Sequence, residues 1–326
     1  MEDRPIAASV IVASRGPRER LTRLLDSLAA QTVPHETIVV DNASPGSVVG
    51  EVCSGYGFAR SIRLDRNAGF SVPVNLAARE AASAALVLIN DDCVCDTDYV
   101  ERVVAALDPP AGIVMASSVM RDVADPSLID SAGMELDRTM LVYDYLNGFP
   151  VSSLADGQPD PFGPSAAAAA FDRDAFLAVG GFDERIFAYW EDVDLVLRLR
   201  AEGGRCRLAA DAGGTHEHSA TLGSGSAAKN YLTGWGRGYT LRKWGVMSSP
   251  GRAASVLVRE AVICAGQAVI DRNVSGVKGR IRGWRAGEEA EAEPYPADLA
   301  TAGRGSPLLS NLGRRLARRR RLAARN

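Results

Sequence analysis

The stretch Ala85–Asp92, ALVLINDD, decides the fold. Its five leading apolar residues do not alternate with polar ones, so they read as a strand buried on both faces. The run stops at Asn90-Asp91-Asp92, a polar turn at the strand's carboxyl end. Working outward, the same design recurs. Ala8–Ala13 (ASVIVA) is a short β-branched run that leads to Ser14-Arg15, and Thr37–Val40 (TIVV) leads to Asp41-Asn42. Ser61–Leu64 and Ile113–Ser117 read as further strands. Between them, Leu21, Leu24, Leu25 and Leu28 recur at helical spacing, and Val72–Ala85 and Asp98–Leu107 also read as helices. Strands that alternate with helices predict an α/β fold with a mostly parallel sheet flanked by helices. Ligands bind such sheets beyond the carboxyl ends of the strands, so three polar clusters converge on one crevice.

Further along, residues 122–164 carry Pro126, Gly133, Pro150, Pro159, Pro161 and Pro164. They read as looser structure, either an acceptor-facing loop or a connector. Ala166–Ala170 leads into Phe171 and a helix ended by Gly180-Gly181. The aromatic stretch Ile186–Trp190 precedes Glu191-Asp192-Val193-Asp194, which opens an amphipathic helix. Arg205–Ala209 reads as a strand and 211–226 as a long Gly/Ser-rich loop. Beyond Ala227 the chain reads as helical to Ile281. This divides the chain into a sheet domain over 1–245, a C-terminal helical extension over 246–286, and an acidic linker and arginine-rich, weakly structured tail over 287–326.

The 326 residues are 46% hydrophobic and 24% charged, an ordinary balance for a globular protein. A formal net charge of -3 argues against nucleic-acid binding by charge alone. Cys53, Cys93, Cys95, Cys206 and Cys264 form no CxxC pair. They suggest neither a disulfide framework nor a structural zinc site, and fit a reducing compartment. Met1–Ala8 carries Glu2, Asp3 and Arg4 and lacks the apolar centre of a signal peptide. The longest apolar-leaning stretch, Ala253–Ile270, is interrupted by Arg259, Glu260 and Gln267, so no membrane-spanning helix is expected. Seven arginines between Arg314 and Arg325, with leucines among them, suit either a peripheral contact with anionic lipid or a solvated tail.

A carboxylate pair at the end of a buried strand is costly unless it is ionised and partnered. A divalent cation, Mg2+ or Mn2+, is the simplest partner, since it takes oxygen ligands and would bridge to a diphosphate. Asp and Asn also make turns and caps, so the turn alone does not specify a metal. Asp41 is placed to accept hydrogen bonds from a ribose or base. No G-x-G-x-x-G follows the first strand, where Ala13-Ser14-Arg15-Gly16-Pro17 stands, and no phosphate-loop string occurs. A nicotinamide enzyme or phosphate-loop ATPase is therefore disfavoured. The acids from Glu191 onward suit the positive end of a helix. Tyr189 and Trp190 before them add an aromatic wall, which suits sugar packing and a raised carboxyl pKa. That is the setting of a base that deprotonates an acceptor hydroxyl. Of His35, His216 and His218, the last two share one segment and read as either a further metal ligand or a plain surface pair.

Taken in order, the strings SVIVASRGPRERL, TIVVDNAS, RNAGFSVPVN, LVLINDDC, GGFDERIFAYWEDVDLVLRLRAEG and HEHSAT resemble glycosyltransferase family 2, which has the GT-A fold. The likeness runs from Ala8 to Gly245 and more loosely to Arg285. SAAKNYLTGWGRGYTLRKWG is similar to the bacterial rhamnosyltransferase-like branch. The resemblance implies an inverting transferase; the cysteine usage suggests a cytoplasmic one, peripheral to the inner face of the membrane if the tail binds lipid. Its donor would be a dTDP- or UDP-linked sugar, and its acceptor a hydroxyl of a glycan, lipid-linked sugar or small molecule. It implies that Ala13, Ser14 and Arg15 line the nucleotide pocket, that Asp41 contacts the base, and that Asn67 and Gly69 lie against the sugar-nucleotide. Asn90, Asp91 and Asp92 stand where the family has its DxD motif, with Asn90 in place of the first acid. Asp92 becomes the metal ligand and His216 its helper. Glu191-Asp192 matches the family's ED pair, with Asp192 as general base, and Tyr189 and Trp190 border the sugar or acceptor pocket. Two rivals remain. A nucleotidyltransferase would release pyrophosphate, and a non-catalytic nucleotide-sugar-binding protein would turn nothing over.

Overall fold

The computed structural model describes residues 6–217, 223, 225–296 and 299. The arginine-rich segment 314–325 and His218, both singled out above, lie outside the described residues. The first half of the chain alternates as β1 (Ala8–Ser14), α1 (Arg18–Ala29), β2 (His35–Asp41), α2 (Val48–Cys53), β3 (Ala59–Arg63), α3 (Ser71–Glu80), β4 (Ala85–Ile89), β5 (Cys93–Cys95) and α4 (Tyr99–Ala105). The second half adds β6 (Ile113–Asp122), β7 (Asp125–Ser131), β8 (Met134–Leu136), β9 (Val142–Asp144), β10 (Ala168–Asp172), α5 (Arg173–Ala178), α6 (Glu191–Ala201) and β11 (Arg205–His216). Three helices follow, α7 (Ala227–Lys243), α8 (Pro250–Ile270) and α9 (Ser275–Ala286).

The apolar runs of β1, β2 and β4, with the more polar edge strand β3, form the parallel half of one mixed sheet, ordered β3-β2-β1-β4-β10-β6-β11-β5, with β7 also on β6. β1 lies parallel to β2 on one side and to β4 on the other. The chain therefore builds outward through β2 and β3, then crosses back to the far side of β1. The carboxyl ends of β1, β2 and β4 meet at that reversal, where open α/β sheets leave a crevice. Successive residues of β1 point to opposite faces. Val10 and Val12 pack under α1, α2 and α4, where Leu21, Leu24, Leu25 and Leu28 are all buried. Ile11 joins the core on the other face with Val74, Phe176 and Leu195.

Three expectations change. The alanine run before Phe171 is a strand, β10, running antiparallel between β4 and β6, and its small side chains are buried in the sheet. Residues 122–164, read as loose, hold β7, the two-stranded β8–β9 sheet and a 3-10 turn over 151–156. Lastly, 211–216 is not loop, because β11 continues to His216 and pairs antiparallel with β5, setting His216 opposite Cys93. Gly213 and Gly214, which looked like loop signals, are needed there by close approach. A Cβ on Gly214 would sit 2.6 Å from the Val94 carbonyl oxygen.

The helical end also differs from expectation. Among the described residues α8 is long and apolar enough to cross a membrane by length and composition, with mean hydropathy 1.6. The interrupting residues that argued against such a helix turn toward the protein. Arg259 pairs with Asp137, Glu260 with Arg237 and Arg280, and Gln267 donates to Asn230.

Candidate active site

At the end of β1, Ser14 is buried and its hydroxyl donates to Asp91 Oδ2 at 2.5 Å. That bond ties the first polar cluster to the acidic turn after β4. Burial pushes the Asp91 carboxyl up to about 6, while the Ser14 bond draws it back and the Asp92 charge adds to the rise. The Asn90 amide N–H is spent on the Ala167 carbonyl, which anchors the turn to β10. Ala13 is half-buried, and Arg15 stands exposed beyond the crevice.

Asp92 faces His216. The β5–β11 pairing brings the two chains together, and the Glu217 amide donates to the Asp92 carbonyl at 3.0 Å. Asp92 Oδ1 lies 3.4 Å from His216 Nε2, yet this buried oxygen has no hydrogen-bond donor among the described residues. On the other side of the ring, His216 Nδ1 donates to Asp130 Oδ2 at 2.9 Å. Burial lowers the His216 pKa, but the neighbouring carboxylates of Asp130 and Asp92 outweigh it and hold the ring up at about 9. A carboxylate on Nδ1 fixes the tautomer and leaves Nε2 as the metal-facing atom once its proton is displaced. Asp92, Cys93 and His216 present ligand atoms within 4.8 Å of one another. The Cys93 thiol is pushed well above its ordinary range by burial. The Asp92 carboxylate oxygen and the His216 nitrogen face each other as a donor pair, and a carboxylate oxygen suits manganese or magnesium. Asp130 escaped the sequence reading because it lies in the segment taken as loose. A cavity of about 50 Å³ beside the ring, bordered by Asp130, Asp144, Ser131 and Ser165, has room for water only.

The end of β2 forms a second group. Asp41 is buried, accepting from the Ser44 amide at 2.7 Å and from the Arg63 guanidinium. Its neighbour Asn42 grips the 67–69 loop, with Nδ2 donating to the Gly69 carbonyl at 2.6 Å and Oδ1 accepting from the Ala68 amide at 2.8 Å. Asn67 is exposed, and its Oδ1 accepts from the Gly69 amide. Gly69 has φ of 84°, and a Cβ there would sit 2.1 Å from the Phe187 carbonyl oxygen. The Phe70 amide donates to that same oxygen at 2.7 Å. The loop after β3 is thus seated on the segment that leads to Glu191-Asp192.

That segment is strained. Tyr189 and Trp190 both take left-handed conformations, φ 66° and 82°, which cost about 1–3 kcal/mol each and persist only where the surroundings enforce them. α7 supplies the enforcement, since Gly236 comes so close that a Cβ would lie 2.4 Å from the Tyr189 carbonyl oxygen. Trp190 is a core residue that packs against Arg237, whose guanidinium lies 5.1 Å from the ring centre. Tyr189 is half-buried, and burial first, then the charges of Glu191 and Asp92, push its hydroxyl up to about 12. Its ring lies near both acidic groups, and so relates the β4 turn to the start of α6. Glu191 and Asp192 are both pushed up by burial, and Glu191 also by the Asp192 charge. Asp192 Oδ1 accepts from the Val193 amide at 2.8 Å, while Glu191 Oε2 is buried without a partner.

Comparison with known proteins identifies the family and the fold. The glycosyl transferase family 2 model matches residues 9–176. The chain is 29% identical over 230 residues to the O-antigen biosynthesis protein RfbC of Myxococcus xanthus, covering 65% of this chain and 17% of that protein. GalNAc-T7, solved with UDP, GalNAc and Mn2+, superposes with a TM-score of 0.62 at 14% identity, over 89% of this chain and 56% of that one. The mannosyltransferase PcManGT from Pyrobaculum calidifontis, solved with GDP-Man and Mn2+, superposes with a TM-score of 0.51 at 16% identity, over 97% and 81%. With the family match spanning more than half of its length, the chain belongs to glycosyl transferase family 2 and has the GT-A fold.

Proposed function

We propose that this chain transfers a sugar from a nucleoside-diphosphate donor to an acceptor hydroxyl with inversion at the anomeric carbon. The observation that carries the reading is the buried Asp92 oxygen without a donor, facing a histidine whose other nitrogen is held by Asp130. Asp92 and His216 would hold a divalent cation, which would neutralise charge on the diphosphate as it departs. The mannosyl and GalNAc enzymes with Mn2+ support that choice of ion. Asp192 takes the acceptor proton, the hydroxyl oxygen bonds to the anomeric carbon, and the carbon–oxygen bond to the diphosphate breaks with its electron pair on the leaving oxygen. Burial favours the neutral form of Asp192 and so makes it a stronger base than an ordinary aspartate. Asp41, Asn42 and the 67–69 loop border the donor crevice. Five free thiols fit a reducing compartment, and we place the reaction on the cytoplasmic side.

Incubating the chain with UDP-, GDP- and dTDP-sugars and following nucleoside diphosphate release tests this reading. Release should require Mn2+ or Mg2+ and stop with a chelator. Asp192→Asn should bind donor normally and lose about 10²–10⁴ in turnover. Normal turnover in Asp192→Asn would remove the base assignment, and release of pyrophosphate would replace the reaction class.

A further inference from the structure

α8 is built inside out. Its exposed residues recur at helical spacing as Ala254, Leu257, Val258, Ala261, Val262, Ala265, Ala268 and Val269, and every one is apolar. Leu257, Val258, Val262 and Val269 are 60%, 65%, 54% and 77% exposed. The polar residues of the helix point the other way and are tied to the body, Arg259 to Asp137 and Glu260 to Arg237 and Arg280. The apolar surface continues past the helix through Ile270, Val274, Val277 and Ile281. The exposed charged residues in 250–286 are Arg272, Lys278, Arg282 and Arg285, all cations, and exposed acids begin only at Glu288. A water-facing helix is expected to show the reverse pattern.

We propose that the outer face of α8 and α9 docks in the plane of an anionic phospholipid bilayer. The composition favours lipid over a second copy of the chain. Protein interfaces concentrate aromatic, Met and Arg anchors at a buried centre, whereas the centre of this face is Ala, Val and Leu only. An aliphatic strip on α8 followed by exposed cations in and just before α9 matches acyl chains below and anionic headgroups beside them. The ion pairs on the inner face of α8 hold the helix against the protein, so it lies along the membrane surface and does not cross it. The contact uses neither the donor crevice nor the base, so it stands or falls apart from the transfer reaction.

The test is co-sedimentation of the full chain with phosphatidylcholine vesicles, with and without phosphatidylglycerol. The wild type should sediment with the anionic vesicles and be released by salt. The double variant Leu257→Gln/Val262→Gln changes only exposed side chains and should partition about thirtyfold more weakly. Lys278→Glu/Arg282→Glu should also weaken binding, most at low salt. Both should release nucleoside diphosphate from soluble donor at the wild-type rate. Unchanged partitioning of the α8 pair, with loss only when Arg314, Arg315 and Arg318–Arg321 become Gln, would assign membrane contact to the tail and overturn the proposal. So would a wild type that ignores vesicles and forms a dimer, by analytical ultracentrifugation, that the α8 pair dissolves.

Discussion

Asp130 stands on the Nδ1 side of the His216 ring, opposite the nitrogen that faces Asp92. It is fully buried on β7 and accepts from His216 Nδ1. Without that acceptor the ring is free to rotate or change tautomer, and Nε2 no longer faces Asp92. Losing such a partner typically lowers metal affinity about 10–100-fold. Asp130→Asn should therefore raise the Mn2+ concentration for half-maximal activity by that factor and leave maximal turnover at saturating metal much less affected. Manganese titration by electron paramagnetic resonance gives the same comparison without substrate. Glu191 poses a different question, because its carboxyl is buried, pushed up, and partly without a partner. A carboxyl raised in the folded state binds more protons folded than unfolded. Its favourable contribution is complete below the unfolded carboxylate pKa and is lost as pH rises through the raised one. Glu191→Gln removes that loss. Its melting temperature should match the wild type near pH 4 and exceed it by several degrees at pH 8; a gap that shrinks with rising pH would contradict the reasoning.

Among the elements, β11 shows how the sheet delivers a ligand. Its last three residues pair with β6 on one side and β5 on the other, and the β5 ladder sets His216 opposite Cys93, next to Asp92. The pairing requires the absence of a side chain at Gly214, where a Cβ would press on the backbone of Val94. Gly214→Ala should push the strands apart, cost about 1–3 kcal/mol in denaturant unfolding, and weaken metal activation more than donor binding. Activation by Mn2+ at wild-type concentrations would show that the ladder is not what positions His216. The same strand explains what was legible beforehand. β1, β2 and β4 declare themselves because burial on both faces keeps the body of each run apolar, and α1 declares itself through its leucines. The end of β11 does not, because close backbone approach and loop flexibility ask for the same residue, glycine. β7 is hidden for another reason. It carries a proline and an irregular register with β6, so no alternation survives to mark it. Asp92, Asp192 and His216 could be named from ordered family strings, but Asp130 lay in a stretch with no such string. The outward turn of α8 was also illegible, since hydropathy records how apolar a helix is and not which face the protein leaves uncovered.

Taken as one body, the helical end buttresses the site. α7 and α9 pack backbone to backbone, and a Cβ on Gly238 would lie 2.2 Å from the Arg280 carbonyl oxygen. α7 then presses Gly236 onto the strained Tyr189–Trp190 turn. Arg237, one residue on, donates to the carbonyls of Thr139 and Met140 and pairs with Glu260 of α8, which also pairs with Arg280 of α9. Two guanidinium groups thus share one largely buried carboxylate, and through it α7, α8, α9 and the loop after β8 meet. Removing the shared acid leaves two cations facing each other in a poorly solvated space, and breaking a buried pair in this way costs about 3–5 kcal/mol. Glu260→Ala should lower stability by that amount in urea unfolding. Because the same contact steadies the turn before Glu191-Asp192, turnover should fall as well, although residue 260 belongs to the extension and not to the crevice. The unfolding should remain one transition followed alike by Trp fluorescence and by circular dichroism. Two separate transitions, with catalysis surviving the first, would mean that the extension is an appendage and that the strained turn is held by the sheet domain alone.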